Sequence, residues 1–162
     1  MRFDYFKFKQ IVLYIINNIN KKRLGNVKLN KILWFSDLAK CENDGYSITG
    51  ETYIRQNYGP VASHLPNILE ELEKDDKAIT IERETPDSMI LYTPVKKADV
   101  SKFQDDIKYI DEVIERFRKM KAKDISELTH TALWKKLNNG DIMPVEVAAS
   151  EKFIDNDYPM QW

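Results

Sequence analysis

Lys28-Leu29-Asn30-Lys31-Ile32-Leu33-Trp34-Phe35-Ser36-Asp37-Leu38-Ala39 is the stretch on which the fold turns. Leu29, Ile32, Leu33, Trp34, Phe35, Leu38 and Ala39 cover more than half of a helix circumference. A helix with so wide an apolar face belongs at the centre of a domain, contacted on several sides. Its expected span is residues 28–43, and Asn43-Asp44-Gly45 supplies the turn chemistry that ends it.

A shorter periodic segment precedes it. Phe8, Ile11, Val12, Ile15, Ile16 and Ile19 mark one helix face, with Asp4 as N-cap. Lys21, Lys22 and Arg23 suit the negative end of that helix, and Gly25 is placed to make its left-handed stop. Beyond the central helix, residues 47–58 lose the helical period, and Thr52-Tyr53-Ile54 reads as a short strand. Gly59-Pro60 turns the chain into a third helix carrying Leu65, Ile68, Leu69 and Leu72, with Ser63 as N-cap and Pro66 tolerated in the first turn. Ile79 and Ile81, then residues 89–93, read as a hairpin around the loop 84–88, to be paired with the strand near Tyr53 or packed on a helix.

The fourth helix carries a capping box of Ser101 and Gln104 and acidic residues Asp105 and Asp106 in its first turn. Phe103, Ile107, Ile110, Ile114 and Phe117 form its face, and Arg116, Arg118, Lys119 and Lys121 complement its end. Asp124 and Glu127 open a fifth helix reaching Asn138, stopped by Asn139-Gly140, followed by a short turn after Pro144. The expectation is an α+β, mostly helical domain over residues 1–150. It has about five to six helices, a small antiparallel sheet of about three strands, and a polar tail over residues 151–162.

Composition narrows the chemistry. The chain has 162 residues and a net charge of −1, with 43% hydrophobic and 31% charged residues, a globular composition. Residues 1–40 are basic, with only Asp4 and Asp37 against nine Lys and Arg, and the remainder is acidic. Cys41 is the only cysteine, which excludes an internal disulfide and a thiolate zinc cage. The N-terminus lacks a signal-peptide cleavage site, and Ile11–Ile16 is too short to span a bilayer, so a cytoplasmic location is expected. The chain lacks HExxH, GxSxG, P-loop and GxGxxG patterns, and His64 and His130 are expected on separate helices. Asp75-Asp76 and Asp105-Asp106 read most simply as solvated caps. No enzyme activity, metal, cofactor, small-molecule substrate or membrane contact is expected.

The remaining candidates are binding residues. Lys21, Lys22, Arg23, Lys28 and Lys31 gather near the first interhelical turn, where they either meet phosphates of operator DNA or serve helix dipoles and solubility. Tyr58 stands at the Gly59-Pro60 corner, and Tyr158 and Trp162 lie in the tail; all three are candidate partner contacts. His130 and Trp134, four apart, are either a partner-facing aromatic patch or an internally satisfied pair.

Several of these segments, in this order, resemble the Panacea domain, the SocA-like antitoxin domain of bacteria and phages. Lys28, Leu29, Lys31, Trp34 and Asp37 fall in a stretch similar to the family's KLxKLL-aromatic-aromatic signature. Ser47-Ile48-Thr49-Gly50 is similar to its "itg" element, and Gly59, Pro60 and Val61 to its Gly-Pro-Val corner. Leu128-Thr129-His130 with Trp134 resembles its LTHxxxW helix, and residues 139–144 its closing turn. The resemblance spans residues 5–150. It implies a mostly helical fold with a small antiparallel sheet, no cofactor and no active site, and an antitoxin that neutralises a cognate protein toxin by direct binding. The motifs themselves read as scaffold.

Overall fold

The computed structural model describes residues 2–19, 24–83 and 90–154. Helices α1 (Tyr5–Asn18) and α2 (Asn26–Asp44) lead into strands β1 (Tyr53–Gln56) and β2 (Gly59–Ala62). Helix α3 (Leu65–Glu70) runs on as a π turn, Glu71–Asp75, before strands β3 (Ile79–Glu82) and β4 (Leu91–Pro94). A 3-10 turn, Ser101–Phe103, opens α4 (Gln104–Phe117), followed by α5 (Ala122–Glu127), α6 (Ala132–Lys136) and α7 (Val145–Ile154). The α+β, mostly helical class is borne out.

Helix α2 is the axle. Every residue from Lys28 to Cys41 is buried, so its apolar positions meet neighbours all round, chiefly α4, α7, α5, α1 and β2. Phe35 meets Phe117 of α4 edge-on at 5.0 Å between centroids, and Trp34 meets Tyr53 of β1 likewise at 5.0 Å. The polar residues on this helix therefore need internal partners. Asn30 Oδ1 accepts from the Ala62 amide at 2.8 Å, and Lys40 pairs with Asp44 at 2.7 Å and Asp106 at 3.2 Å. Gly45, left-handed at φ +86°, closes the helix by donating its amide to the Cys41 carbonyl.

The N-cap of α1 is Asp4, whose carboxylate accepts from the Lys7 amide at 3.0 Å, as expected. The other capping expectations are corrected. Gly25 does not stop α1; it has φ −102° and stands at the N-cap of α2, while Ile19 ends α1 in an extended conformation. Ser101 makes no capping box, because its hydroxyl donates to Asp99 and Gln104 reaches back to the Val100 carbonyl. Ser63 does not cap α3 either; its hydroxyl donates to Glu51 at 2.9 Å and His64 occupies the cap position.

The expected three-stranded sheet is two separate antiparallel pairs, β1–β2 and β3–β4. The β3–β4 hairpin packs beside α1 and is bridged to Gly25 through Leu91. Residues 140–143 flank β1 on its other edge. Arg55 N donates to Asp141 O, Met143 N to Tyr53 O and Gly140 N to Arg55 O, which protects an edge that would otherwise present unpaired main-chain groups. The expected fifth helix is broken into α5 and α6 by residues 128–131, and the expected turn after Pro144 is the start of α7. Helix α7 holds α6 through Glu151, which accepts from the Thr131 hydroxyl at 2.9 Å and the Leu133 amide at 3.1 Å.

Candidate functional site

Three segments distant in sequence meet at Gly59. Its φ of +104° is one that side chains rarely adopt, and a Cβ there would lie 2.1 Å from Thr129 Oγ1 and 2.9 Å from Lys31 Cε. Lys31 is 1% exposed, and its Nζ donates to the Pro60 carbonyl at 2.6 Å. Burial of that ammonium lowers its pKa to about 7. Thr129 donates its hydroxyl to the Ser126 carbonyl at 2.6 Å, which closes the turn after α5 against the corner. Lys28, 2% exposed, donates to the Arg118 and Met120 carbonyls at 3.2 and 3.1 Å, satisfying main-chain acceptors at the end of α4.

Asp37 binds α2 to the segment before β1. Its Oδ1 accepts from the Ile48 and Thr49 amides at 2.9 and 3.0 Å, and its Oδ2 from the Thr49 and Tyr53 hydroxyls at 2.6 and 2.7 Å. Complete burial pushes its carboxyl up to about 6, against the opposing pull of these four donors. Burial and the neighbouring carboxylate raise the Tyr53 phenol well above its ordinary value. These groups are enclosed, so their perturbation belongs to the scaffold; perturbed groups point to chemistry only where a cleft admits a reactant.

Further out, the β1–β2 corner carries a polar-aromatic stack. Arg55 places Cζ 3.7 Å from the Trp134 ring centroid, donates Nε to the Trp134 carbonyl at 3.1 Å and binds Asn139 Oδ1. Trp134 donates its indole N–H to the Gln56 carbonyl at 2.9 Å, and the His130 imidazole stacks on it at 3.8 Å between centroids. The pair was expected from helical spacing, but His130 precedes α6, so a turn and not a shared helix brings the rings together. Burial lowers the His130 pKa, which keeps the ring neutral at neutral pH. Tyr58, at the tip of the same corner, is 70% exposed.

Of the expected basic tip, Lys28 and Lys31 fall among the described residues. Lys28 and Lys31 are buried on carbonyl partners, because an ammonium flanked by apolar helix positions is carried inside with them. Lys21, Lys22 and Arg23 lie outside the described residues, as do Tyr158 and Trp162. Leu29 and Trp34 sit in the core, and Val61 is half-buried beside the corner. Sequence reasoning did not single out Arg55 or Ser126, and it met Thr129 only as part of the LTHxxxW resemblance. The signal available for Arg55 was a lone cation within the short strand Tyr53-Ile54-Arg55-Gln56.

Among the described residues, no group of three or more His, Cys, Asp or Glu is arranged to hold a metal ion, and no helix is long and apolar enough to cross a membrane. What the fold and this corner define is a small, mostly helical α+β domain whose signature polar residues join its elements and whose exposed turn presents an aromatic side chain. A family profile described as "Antitoxin SocA-like, Panacea domain" matches residues 29–135, about two thirds of the chain. The chain belongs to this family of antitoxin domains. No curated protein and no solved structure matches it.

Proposed function

We propose that the protein is an antitoxin that neutralises a cognate protein toxin by direct binding, in the cytoplasm and without chemistry of its own. The observation that carries this reading is the antitoxin-domain match over residues 29–135. It is supported by the internal use of Lys28, Lys31 and Asp37, which leaves them to hold the scaffold, and by the exposed Tyr58 at the corner they support. Binding energy at protein interfaces concentrates in a few aromatic and arginine side chains, so Tyr58 is the first contact to test. Tyr158 and Trp162 are further proposed contacts. Operator-DNA binding by the basic stretch is the weaker reading, since Lys28 and Lys31 cannot reach phosphates from inside the core.

The test is co-expression with the protein encoded by the neighbouring gene. Restored growth and co-purification of the two chains are the expected results. Growth arrest that persists while this chain is folded and abundant would refute the proposal. Truncation after Asp157 separates the tail from the corner: the tail contributes contacts if the shortened chain melts normally and no longer rescues growth.

A further inference from the structure

Asn139-Gly140 is the one Asn-Gly pair in the chain, and that dipeptide carries chemistry of its own. The glycine amide nitrogen can attack the carboxamide carbon of the preceding asparagine, because no side chain on the glycine obstructs the approach. A C–N bond forms and closes a succinimide, while the side-chain nitrogen leaves as ammonia and takes up the proton that the glycine amide gives up. Water then opens the ring to aspartate or isoaspartate. The net change is one water consumed and one ammonia released.

Both residues are exposed, in the turn between α6 and the segment that flanks β1, so water reaches them. Gly140 is left-handed at φ +93°, and a Cβ there would meet nothing within 4 Å. The backbone conformation, not crowding, calls for the glycine. The turn thereby places the least hindered kind of amide directly after an asparagine.

Arg55 restrains both reacting groups. Its carbonyl accepts from the Gly140 amide at 2.9 Å, which holds the proton that must be lost and directs the N–H at β1. Its guanidinium donates from Nη1 to Asn139 Oδ1, and Asn139 Nδ2 donates to Asn57 Oδ1 at 2.7 Å, so the carboxamide is fixed at both ends. The Arg55 amide also donates to the Asp141 carbonyl at 2.8 Å. One residue of β1 therefore grips residues 139, 140 and 141 in succession. The guanidinium is held in turn by the Trp134 ring and carbonyl.

We propose that Asn139 is a self-modification site, an Asn-Gly succinimide centre that Arg55 holds unreactive while the β1–β2 corner is closed and that converts when the corner opens. This inference does not depend on the antitoxin reading. Isoaspartate lengthens the main chain by a methylene, so Gly140 and Asp141 lose register with Arg55 and the covered edge of β1 is released. Aspartate keeps the chain length but lacks the Nδ2 donor, so Asn57 Oδ1 loses its partner. Ammonia is lost in both cases, and the corner beside Tyr58 does not re-form as before.

The test follows residue 139 in the full chain by peptide mass mapping, which reads the mass gain of amide-to-acid exchange and resolves isoaspartate by fragmentation. The parent is aged at mildly alkaline pH in native buffer and in urea, beside Arg55→Ala and Arg55→Lys in native buffer. Reaction from the open state scales with the population of that state. Conversion should be at least about tenfold slower in the folded parent than in urea. It should be at least about tenfold faster in the folded Arg55 variants than in the parent, the loss of one charge-assisted hydrogen bond.

Protection of the α2 amides against hydrogen exchange identifies folded chains and separates local release from global unfolding. Should neither Arg55 variant fold, Asn57→Ala frees the other end of the carboxamide and gives the same reading. Asp44-Gly45, at the C-terminal end of α2, forms the same kind of succinimide and serves as the internal reference. Its isoaspartate yield should not respond to Arg55. Equal conversion of residue 139 in the folded parent and in urea overturns the proposal, as do folded variants that convert no faster than the parent. A parallel rise at Asp44 assigns the effect to general loosening and overturns the role of Arg55. Absence of conversion at residue 139 in urea overturns the site itself.

Discussion

Lys31 on α2 donates from Nζ to the main-chain carbonyl of Pro60 at 2.6 Å, fixing the β1–β2 corner to the central helix with a buried ammonium. The folded pKa of about 7 lies below the ordinary lysine value of 10.5. Between these values the unfolded chain binds a proton that the folded chain does not, so this residue makes stability rise with pH across that window. The slope approaches about 1.4 kcal/mol per pH unit. Urea unfolding of the parent and of Lys31→Met at pH 6 to 10 should show the parent gaining on the variant by more than about 2 kcal/mol. A constant difference across that range would contradict the assignment.

Asp37→Ala should destabilise by about 3–5 kcal/mol, because it orphans the buried Ile48 and Thr49 amides and two hydroxyls. Asp37→Asn retains one acceptor oxygen and should cost about 1 kcal/mol. The folded pKa of about 6 exceeds the ordinary 3.8, so the contribution of Asp37 is greatest below pH 3.8 and falls as pH rises to 6. Chemical denaturation of both variants at pH 4 and 7 checks the sign: the Asn variant should gain on the parent at the higher pH.

Gly59→Ala introduces a Cβ where Thr129 Oγ1 and Lys31 Cε already stand and retains a strained φ. A loss of about 2–5 kcal/mol is expected from overpacking plus backbone strain. Thr129→Ala in the same chain removes the nearest atom, so the pair should be less than additive in thermal melts. Strict additivity would place the cost in the backbone alone.

Arg55→Lys should lower stability by about 1–3 kcal/mol despite keeping the charge. A lysine cannot lie flat on the Trp134 ring while donating to both the Trp134 carbonyl and Asn139. Trp134 fluorescence offers a second readout, with a shift expected where the stack loosens. A melting temperature equal to the parent's would show that the planar fork contributes nothing there.

Trp34→Ala leaves a void beside Tyr53 in the central layer and should cost about 3–5 kcal/mol, lowering the melting temperature and abolishing toxin neutralisation by unfolding. A variant that melts normally and fails to neutralise would instead move Trp34 to the binding surface.

The sequence by itself determined that α2 is central, that Asp4 caps α1 and that Gly45 ends α2. Each of these depends on spacing or on a neighbour within one turn, and an apolar face wide enough to need contacts on every side is visible without coordinates. Tertiary structure alone decided what the polar signature residues do. Lys28 and Lys31 read as surface cations because charge alone does not tell whether an ammonium finds a carbonyl; Pro60 lies 29 positions from Lys31, and Met120 lies 92 from Lys28. The break between α5 and α6 was hidden for the same reason: Thr129 is held against Gly59, and Trp134 is fixed to Gln56, 78 positions away. Periodicity reports which side of an element avoids water. It does not report which distant donor or acceptor will be there, and in this protein those partners assemble the corner at Tyr58.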